Sequence, residues 1–462
     1  MPLINSLRVG RRHGIRVATW RLPLPVLVAW LVGRGLARSL VAVVRWWRAI
    51  VPAVVLTWMW SEYGAPAVGV LVLALVVTNV VWWWRHRSSW RRFIGYPAMA
   101  RWRRLWVYRR GWAAAMTATG LGNPYVLPRI IRVRCDGWTD RVTIRLLPGQ
   151  TPGDYGAMAS RLARTFRVLW ARAIAQTRPE LVTLVLYRAD PLDCFVWPFR
   201  PVEVPNLGGL MVGAREDGRV WRLRLSGTQV LIAGATGSGK SALLWAILAA
   251  LAGGIRSGLV EVWAIDPKGG IELAAGAPLF ARFAYTDDQE YAAMLEDAVK
   301  VMRRRADRMR GQSRQHVSTV DDPTIVVIID ELAVLTAYLG DRKVKDRIRA
   351  ALSLLLTQGR AVGVHVVAAV QDPRKEIVAF RDLFPTRVAL RMTEPEQVDL
   401  VLGDGARNRG AVADLIPLSM PGIGYVVLDG VPEPMRVRVC YWDDEHIASL
   451  AREYRRPVGG AT

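Results

Sequence analysis

The stretch TQVLIAGATGSGKSALLWAIL, Thr228 to Leu248, decides what kind of fold this chain has. An apolar strand, Gln229 to Ala233, runs into a glycine-rich turn, and Lys240 and Ser241 open an apolar helix. The spacing is G-x4-G-K-S in a strand–loop–helix context. Glycines let successive backbone N–H groups turn inward around phosphate oxygens, and the helix N-terminus adds its partial positive charge. The expected ATP-binding residues are Gly234, Ala235, Thr236, Gly237, Ser238, Gly239, Lys240, Ser241 and Ala242. Lys240 is expected to reach the β- and γ-phosphates, and the Ser241 hydroxyl to ligate Mg²⁺. A glycine-rich turn without nucleotide is the bland alternative. Lys240 is one of only six lysines in 462 residues, which argues against a chance match.

About 85 residues further on, PTIVVIIDELAVL gives five β-branched residues, Ile325 to Ile329, ending in Asp330 and Glu331. A carboxylate at the tip of a buried strand suits Mg²⁺, which assigns Asp330 to the metal. Glu331 beside it can polarise the attacking water. Alone, the pattern would describe any solvated strand end; after a sound phosphate loop it reads as catalytic. A third strand, Gly363 to Ala369 in GVHVVAAVQDP, ends at Gln371, whose amide could sense the γ-phosphate. A plain loop glutamine is the alternative there.

The N-terminal quarter has a different character. Residues 1–135 hold 21 arginines, no lysine and one acid, Glu62, a balance of +20 out of +24 for the whole chain. The basic charge therefore does not describe the remaining residues, which are nearly neutral. Gly64 to Trp84 is 21 residues without a charge, about 30 Å of helix and enough to cross a bilayer core. Ala49 to Trp60 is a shorter apolar run, and SEYG joins the two. Arginines flank only the outer ends: Arg34, Arg38, Arg45 and Arg48 before, Arg85, Arg87, Arg91 and Arg92 after. By the positive-inside rule this is a multi-pass membrane hairpin with both ends in the cytoplasm. VVWWWRHRSSWRR then reads as a membrane edge rather than a nucleic-acid platform, and RWRRLWVYRR is expected to follow the anionic leaflet. A third, half-inserted element is conceivable at Leu22 to Val32, and no cleavable signal peptide is recognised. Three scattered cysteines, Cys135, Cys194 and Cys440, fit a reducing compartment and exclude a disulfide scaffold.

Between these regions the pattern is that of a small α+β module. Strands are expected at Ile130 to Cys135, Arg141 to Leu147 and Leu181 to Tyr187. Met158, Leu162, Phe166, Leu169 and Ile174 recur at helical spacing, giving the order β-β-α-β. The module holds no catalytic constellation.

AIDPKGG, RAVGVHVVAAVQDP and FPTRVALRM, in this order with the phosphate loop, resemble the FtsK/SpoIIIE family of DNA-pumping ATPases. The match covers roughly Asn206 to Tyr441, and the arginine-rich composition looks closest to actinomycete conjugative transfer proteins. The resemblance implies a RecA-like P-loop NTPase motor and a preceding ring-forming domain. It further implies a homo-oligomeric, hexameric ring around double-stranded DNA, anchored in the inner membrane and driven by ATP with Mg²⁺. A neighbour's arginine would then complete each site, with Arg360 and Arg391 as candidates. The expected organisation is a basic segment (1–45), two transmembrane helices (46–84) and a juxtamembrane segment (85–120). The small domain (121–205), the motor (206–445) and a tail (446–462) follow. Fifteen residues follow RVRVCYWDDEHI, too few for a winged-helix DNA reader, so either a separate loading protein or recognition through the DNA backbone alone is expected. KVMRRRADRMR, Lys300 to Arg310, is a candidate channel lining, with a solvated helix face as the alternative. Rival readings are a type VII secretion-like ATPase moving proteins, a chromosome-partitioning DNA pump, and a membrane scaffold with a regulatory ATP site.

Overall fold

The structure, a computed structural model, describes residues 24–373 and 378–456. The described residues divide into two compact units, one up to Ala98 and one from Met99 onward.

In the first unit a helical run, Leu24–Arg85, is interrupted at Gly64 (φ 73, ψ 180). Only glycine adopts that conformation without penalty, and Pro66 just beyond it fits the first turn of a new helix. Ser61, Glu62 and Tyr63 stay helical, so the break is one residue rather than the four-residue connector expected between two spans. One stretch, Val51–Arg85, is long and apolar enough to cross a membrane. Its large apolar side chains, among them Val70, Leu73, Leu75 and Trp84, are exposed among the described residues. A second break falls at His86 (φ −136, ψ 61), after which the Trp90 indole N–H donates to Asn79 Oδ1 at 2.8 Å. The expected N-terminal basic segment lies outside the described residues up to position 23.

The second unit opens with helix. Tyr108, Trp112 and Met116 bury themselves against a four-stranded antiparallel sheet, so the end of the expected juxtamembrane segment is part of the small module's core. The sheet contains β1 (Arg129–Cys135), β2 (Thr139–Arg145), β3 (Trp170–Ala175) and β4 (Leu181–Tyr187), in the order β1-β2-β4-β3. The module is thus not β-β-α-β. The expected long helix stops at Thr165, and Trp170–Ala175, taken as helix from its periodicity, is a strand paired with β4. The cause is Arg167, at φ 52 in the left-handed region. Its N–H bonds the Arg164 carbonyl while the Val168 N–H bonds Ala163, the paired contacts of a Schellman stop. No glycine marks that stop in the sequence.

The larger sheet has ten strands. β5 (Leu210–Arg215), β6 (Val220–Leu223), β13 (Ile423–Leu428) and β14 (Val431–Val439) form an antiparallel flank. The other six are β7 (Val230–Ala233), β8 (Val260–Ile265), β9 (Arg282–Ala284), β10 (Thr324–Ile329), β11 (Val364–Val370) and β12 (Thr386–Leu390). They pair in parallel in the order β12-β7-β11-β10-β8-β9. Helices cover both faces, which is why β10 and β11 read as nearly continuous apolar runs. Ile325, Val327 and Ile329 pack with helices Asp288–Met309 and Arg342–Gln358, whereas Val326 and Ile328 pack with helix Lys240–Arg256. Each strand thus delivers its last residue to one common edge. The expected C-terminal tail is instead a docked helix, Asp444–Glu453, with Ile447 and Leu450 buried against the second of these layers.

Two buried histidines give this core a pH dependence. His365 in β11 sits 3.1 Å from the Thr228 carbonyl oxygen, and burial depresses its pKa to about 4. His316 is also held below its usual value, by burial first and then by Arg305. The unfolded chain takes up these protons below pH 6.5 and the folded one resists, so stability is full above 6.5 and lost as pH falls towards 4. His365 contributes up to about 1.4 kcal/mol per pH unit in that window, and His316 acts in the same direction. Denaturant midpoints between pH 7.5 and 4.5 should fall for the native chain and fall less steeply for His365→Gln.

Candidate active site

The carboxyl ends of β7, β8, β10, β11 and β12 converge, and the residues singled out in the sequence follow them. The turn after β7 needs its glycines. A Cβ at Gly234 would lie 2.4 Å from Ser238 Oγ, and one at Gly239 (φ +100) would lie 2.8 Å from the Gly422 nitrogen. The Ser238 hydroxyl is buried within the loop and has no protein hydrogen-bond partner. Lys240, 7% exposed, lies across the loop with Nζ donating to the Gly234 and Ala235 carbonyls at 2.9 and 3.4 Å. Burial holds its pKa below the usual lysine range, with Glu331 opposing. A buried cation and an unpartnered hydroxyl inside a backbone cradle are what a phosphate chain requires.

Asp330 and Glu331 follow β10, and both are buried. Burial pushes the Asp330 carboxyl up to about 6, against the pull of Lys268. Lys268 Nζ lies 3.2 Å from Asp330 Oδ2 and 3.4 Å from Glu331 Oε2. These carboxylates in turn raise the Lys268 pKa against the opposing effect of its own burial. Gln371 follows β11, and its backbone N–H donates to Glu331 Oε1 at 3.2 Å, so the third strand tip does meet the second.

Lys268 belongs to the AIDPKGG stretch, quoted above without an assigned role, and the structure supplies one. Asp266, fully buried, accepts from the backbone N–H of Lys268 at 3.1 Å, of Glu272 at 3.0 Å and of Leu273 at 3.1 Å. The loop so fixed carries Lys268 to the β10 carboxylates and Glu272 to Ser241, whose hydroxyl donates to Glu272 Oε2 at 2.7 Å. Glu272 had no signal in the sequence beyond lying after two glycines at positive φ, Gly269 and Gly270. Ser241 and Asp330 line one cleft of about 330 Å³ together with Glu272, Lys268 and Gln371. A hydroxyl and few carboxylates suit Mg²⁺, which keeps several waters and takes phosphate oxygens as further ligands. Ser241 and Asp330 would hold it, and it would neutralise charge on the phosphates.

The two arginine candidates part company. Arg391, after β12, donates from Nη2 to the Thr236 carbonyl at 2.6 Å and so holds its own chain's phosphate loop. Arg360 precedes β11, at the opposite end of the sheet from that chain's phosphate loop. In Lys300 to Arg310, Arg303 and Arg304 are exposed, whereas Arg305 is buried and bonds the Val362 and Gly363 carbonyls.

Comparison with known proteins agrees with this geometry. The FtsK/SpoIIIE family model matches residues 210–414. Transfer protein TraSA of Streptomyces ambofaciens is 29% identical over 324 residues, 64% of this chain and 75% of that protein. DNA translocase FtsK of Staphylococcus aureus is 26% identical over 200 residues, 39% of this chain and 25% of that protein. The chain thus spans three quarters of the first relative but matches only a quarter of the second. The pCW3 conjugation coupling protein TcpA, in a monomer form with ATPgS, has a similar fold. Its TM-score is 0.51 at 18% identity, covering 75% of this chain and 99% of TcpA. With its phosphate loop and paired carboxylates at the carboxyl edge of the parallel sheet, this chain carries a domain of the FtsK/SpoIIIE type over residues 210–414 and is an ATPase.

Proposed function

We propose that this ATPase is a membrane-anchored translocase of double-stranded DNA that acts as a hexameric ring in conjugative transfer. The observation that carries the reading is the meeting of the glycine loop, Lys240, Asp330 and Glu331 at one sheet edge, in a chain that aligns with three quarters of a Streptomyces transfer protein. Val51–Arg85 would be the anchor, with Arg85, Arg87, Arg91 and Arg92 at the cytoplasmic face. The helical stretch before Gly64 would make the first arm of a two-span hairpin at the inner membrane. The small module would pack subunits together, and Arg360, remote from its own phosphate loop, would reach a neighbour's nucleotide. Exposed Arg303 and Arg304 would face the DNA backbone, and a separate protein would load the ring, because phosphate contacts carry no sequence information.

The test is steady-state ATP hydrolysis without polymer, with single-stranded DNA and with long duplex, using Lys240→Ala as control. The fragment should start at Met99, so that Tyr108, Trp112 and Met116 still cover the small sheet. Stimulation by duplex alone is expected, and Lys240→Ala should abolish hydrolysis. A rate indifferent to DNA in an assembled ring would transfer the proposal to a protein substrate of the secretion type.

A further inference from the structure

Beyond its phosphate-binding side, the nucleotide cleft has a wall of another chemistry. Phe195, Pro421 and Tyr441 line the same cavity as Thr236, Gly237 and Lys240. Phe195 is 59% exposed and Tyr441 45%, and their rings meet edge to face with centroids 5.6 Å apart. Ligand clefts are commonly lined by aromatic side chains, and such rings gain most when covered, so open rings here suit a flat ligand.

Their placement is held by several contacts. The segment between β4 and β5 is strapped along β14 and the residues after it. Arg436 donates to Asp190 Oδ1 at 2.8 Å, and Arg438 to the Leu192 carbonyl at 2.7 Å. Val196 bridges Cys440, and the Tyr441 N–H donates to the Val196 carbonyl at 2.8 Å. The Arg438 guanidinium lies 4.8 Å from the centre of the Phe195 ring, a cation–π contact on one face. Phe195 is thereby fixed against its own strap while much of its surface stays free.

A nucleoside triphosphate has two unlike ends, a polyanion and a flat aromatic base. The glycine loop and Lys240 suit the first, and the Phe195–Tyr441 wall suits the second. We propose that Phe195 and Tyr441 stack the nucleobase, taking purines by face contact with little discrimination between adenine and guanine. Phe195, Pro421 and Tyr441 carry no amide and no carboxylate, Arg438 is buried and already engaged, and the Tyr441 hydroxyl and the buried, unpartnered Trp442 indole N–H are groups that N7 of either purine can satisfy. Phe195 also lies on the segment that leaves the small sheet, so base stacking would tie that sheet's connection to nucleotide occupancy.

This inference rests on the nucleotide reading of the cleft, and the experiment separates the two. Binding of ATP, GTP and inorganic tripolyphosphate is measured by calorimetry on the full chain in detergent, for the native protein, the Phe195→Ala/Tyr441→Ala double variant and Phe195→Trp. The double variant should bind ATP and GTP about tenfold or more weakly, the scale of one lost base stack, with tripolyphosphate affinity unchanged. Phe195→Trp should bind both nucleotides at least as well as the native chain. Unchanged ATP affinity in the double variant, or an equal loss for tripolyphosphate, overturns the stacking wall. A native preference for ATP over GTP of more than about thirtyfold, some 2 kcal/mol, would overturn the claim of weak base discrimination. Failure of the native chain to bind either ATP or tripolyphosphate would instead sink the nucleotide reading beneath it.

Discussion

Glu331→Gln is expected to lower kcat for ATP hydrolysis by about 10²- to 10⁴-fold, the usual contribution of a positioned general base, while nucleotide still binds. The substitution is close to isosteric, and the local geometry says what it leaves alone. Glu331 Oε1 accepts the Gln371 N–H, and a glutamine carbonyl can accept the same bond. Lys240, Ser241 and the glycine loop are untouched, so phosphate binding persists. What disappears is the negative oxygen able to take a proton from water, along with its ion pair to Lys268. Lys268, half-buried, still has Asp330 as partner, so the change should not strand its charge. Asp330→Asn is expected to behave differently, because Asp330 and Ser241 are the residues proposed to hold the metal. It should weaken Mg²⁺-dependent nucleotide binding as well as hydrolysis. Single-turnover and binding measurements on both variants separate the roles. A Glu331→Gln protein that hydrolyses ATP near the native rate would place the base elsewhere.

The site was legible where one short segment carries both a strand and its functional tip. Gln229 to Ser241, Ile325 to Glu331 and Gly363 to Gln371 each combine an apolar run with the residue it delivers, and the sheet brings all three tips together. The reading weakened where placement depends on contacts between distant segments. Phe195 reaches the cleft only because its strap crosses β14, and Glu272 reaches Ser241 only because Asp266 folds the intervening loop. Arg391 shows the converse: its position after a core strand was visible, but only geometry puts it on the phosphate loop of its own chain. In the small module, helical periodicity ran on through Ile174 because an arginine, not a glycine, makes the left-handed stop at 167. At the N-terminus, hydropathy located the apolar stretch, whereas the one-residue break at Gly64 followed from backbone freedom and not from polarity.

Asp266→Ala is expected to cost about 3 kcal/mol or more of stability and to cut hydrolysis at least about tenfold in the protein that remains folded. Three backbone N–H groups converge on this one fully buried carboxylate, and hydrogen bonds to a charged acceptor are each worth about 1.5–3 kcal/mol. Alanine leaves those donors without a partner, and burial limits what water can replace. The loop bends through two glycines at positive φ, Gly269 and Gly270, which add no stiffness of their own to its path. When it moves, Lys268 leaves the β10 carboxylates and Glu272 leaves Ser241, two losses at one active edge. Asp266→Asn keeps one acceptor oxygen but points an amide at the remaining donors, so it should fall between native and alanine. Lys268→Met separates the two effects. It removes the charge beside Asp330 while leaving all three acceptances by Asp266 in place, since these are made to backbone. It should therefore impair hydrolysis with less loss of stability than Asp266→Ala. Denaturant midpoints and kcat for the three variants test the ordering. If Asp266→Ala unfolds within about 1 kcal/mol of native, less than the loss of one such hydrogen bond, the loop is held by other contacts and Asp266 is not its anchor.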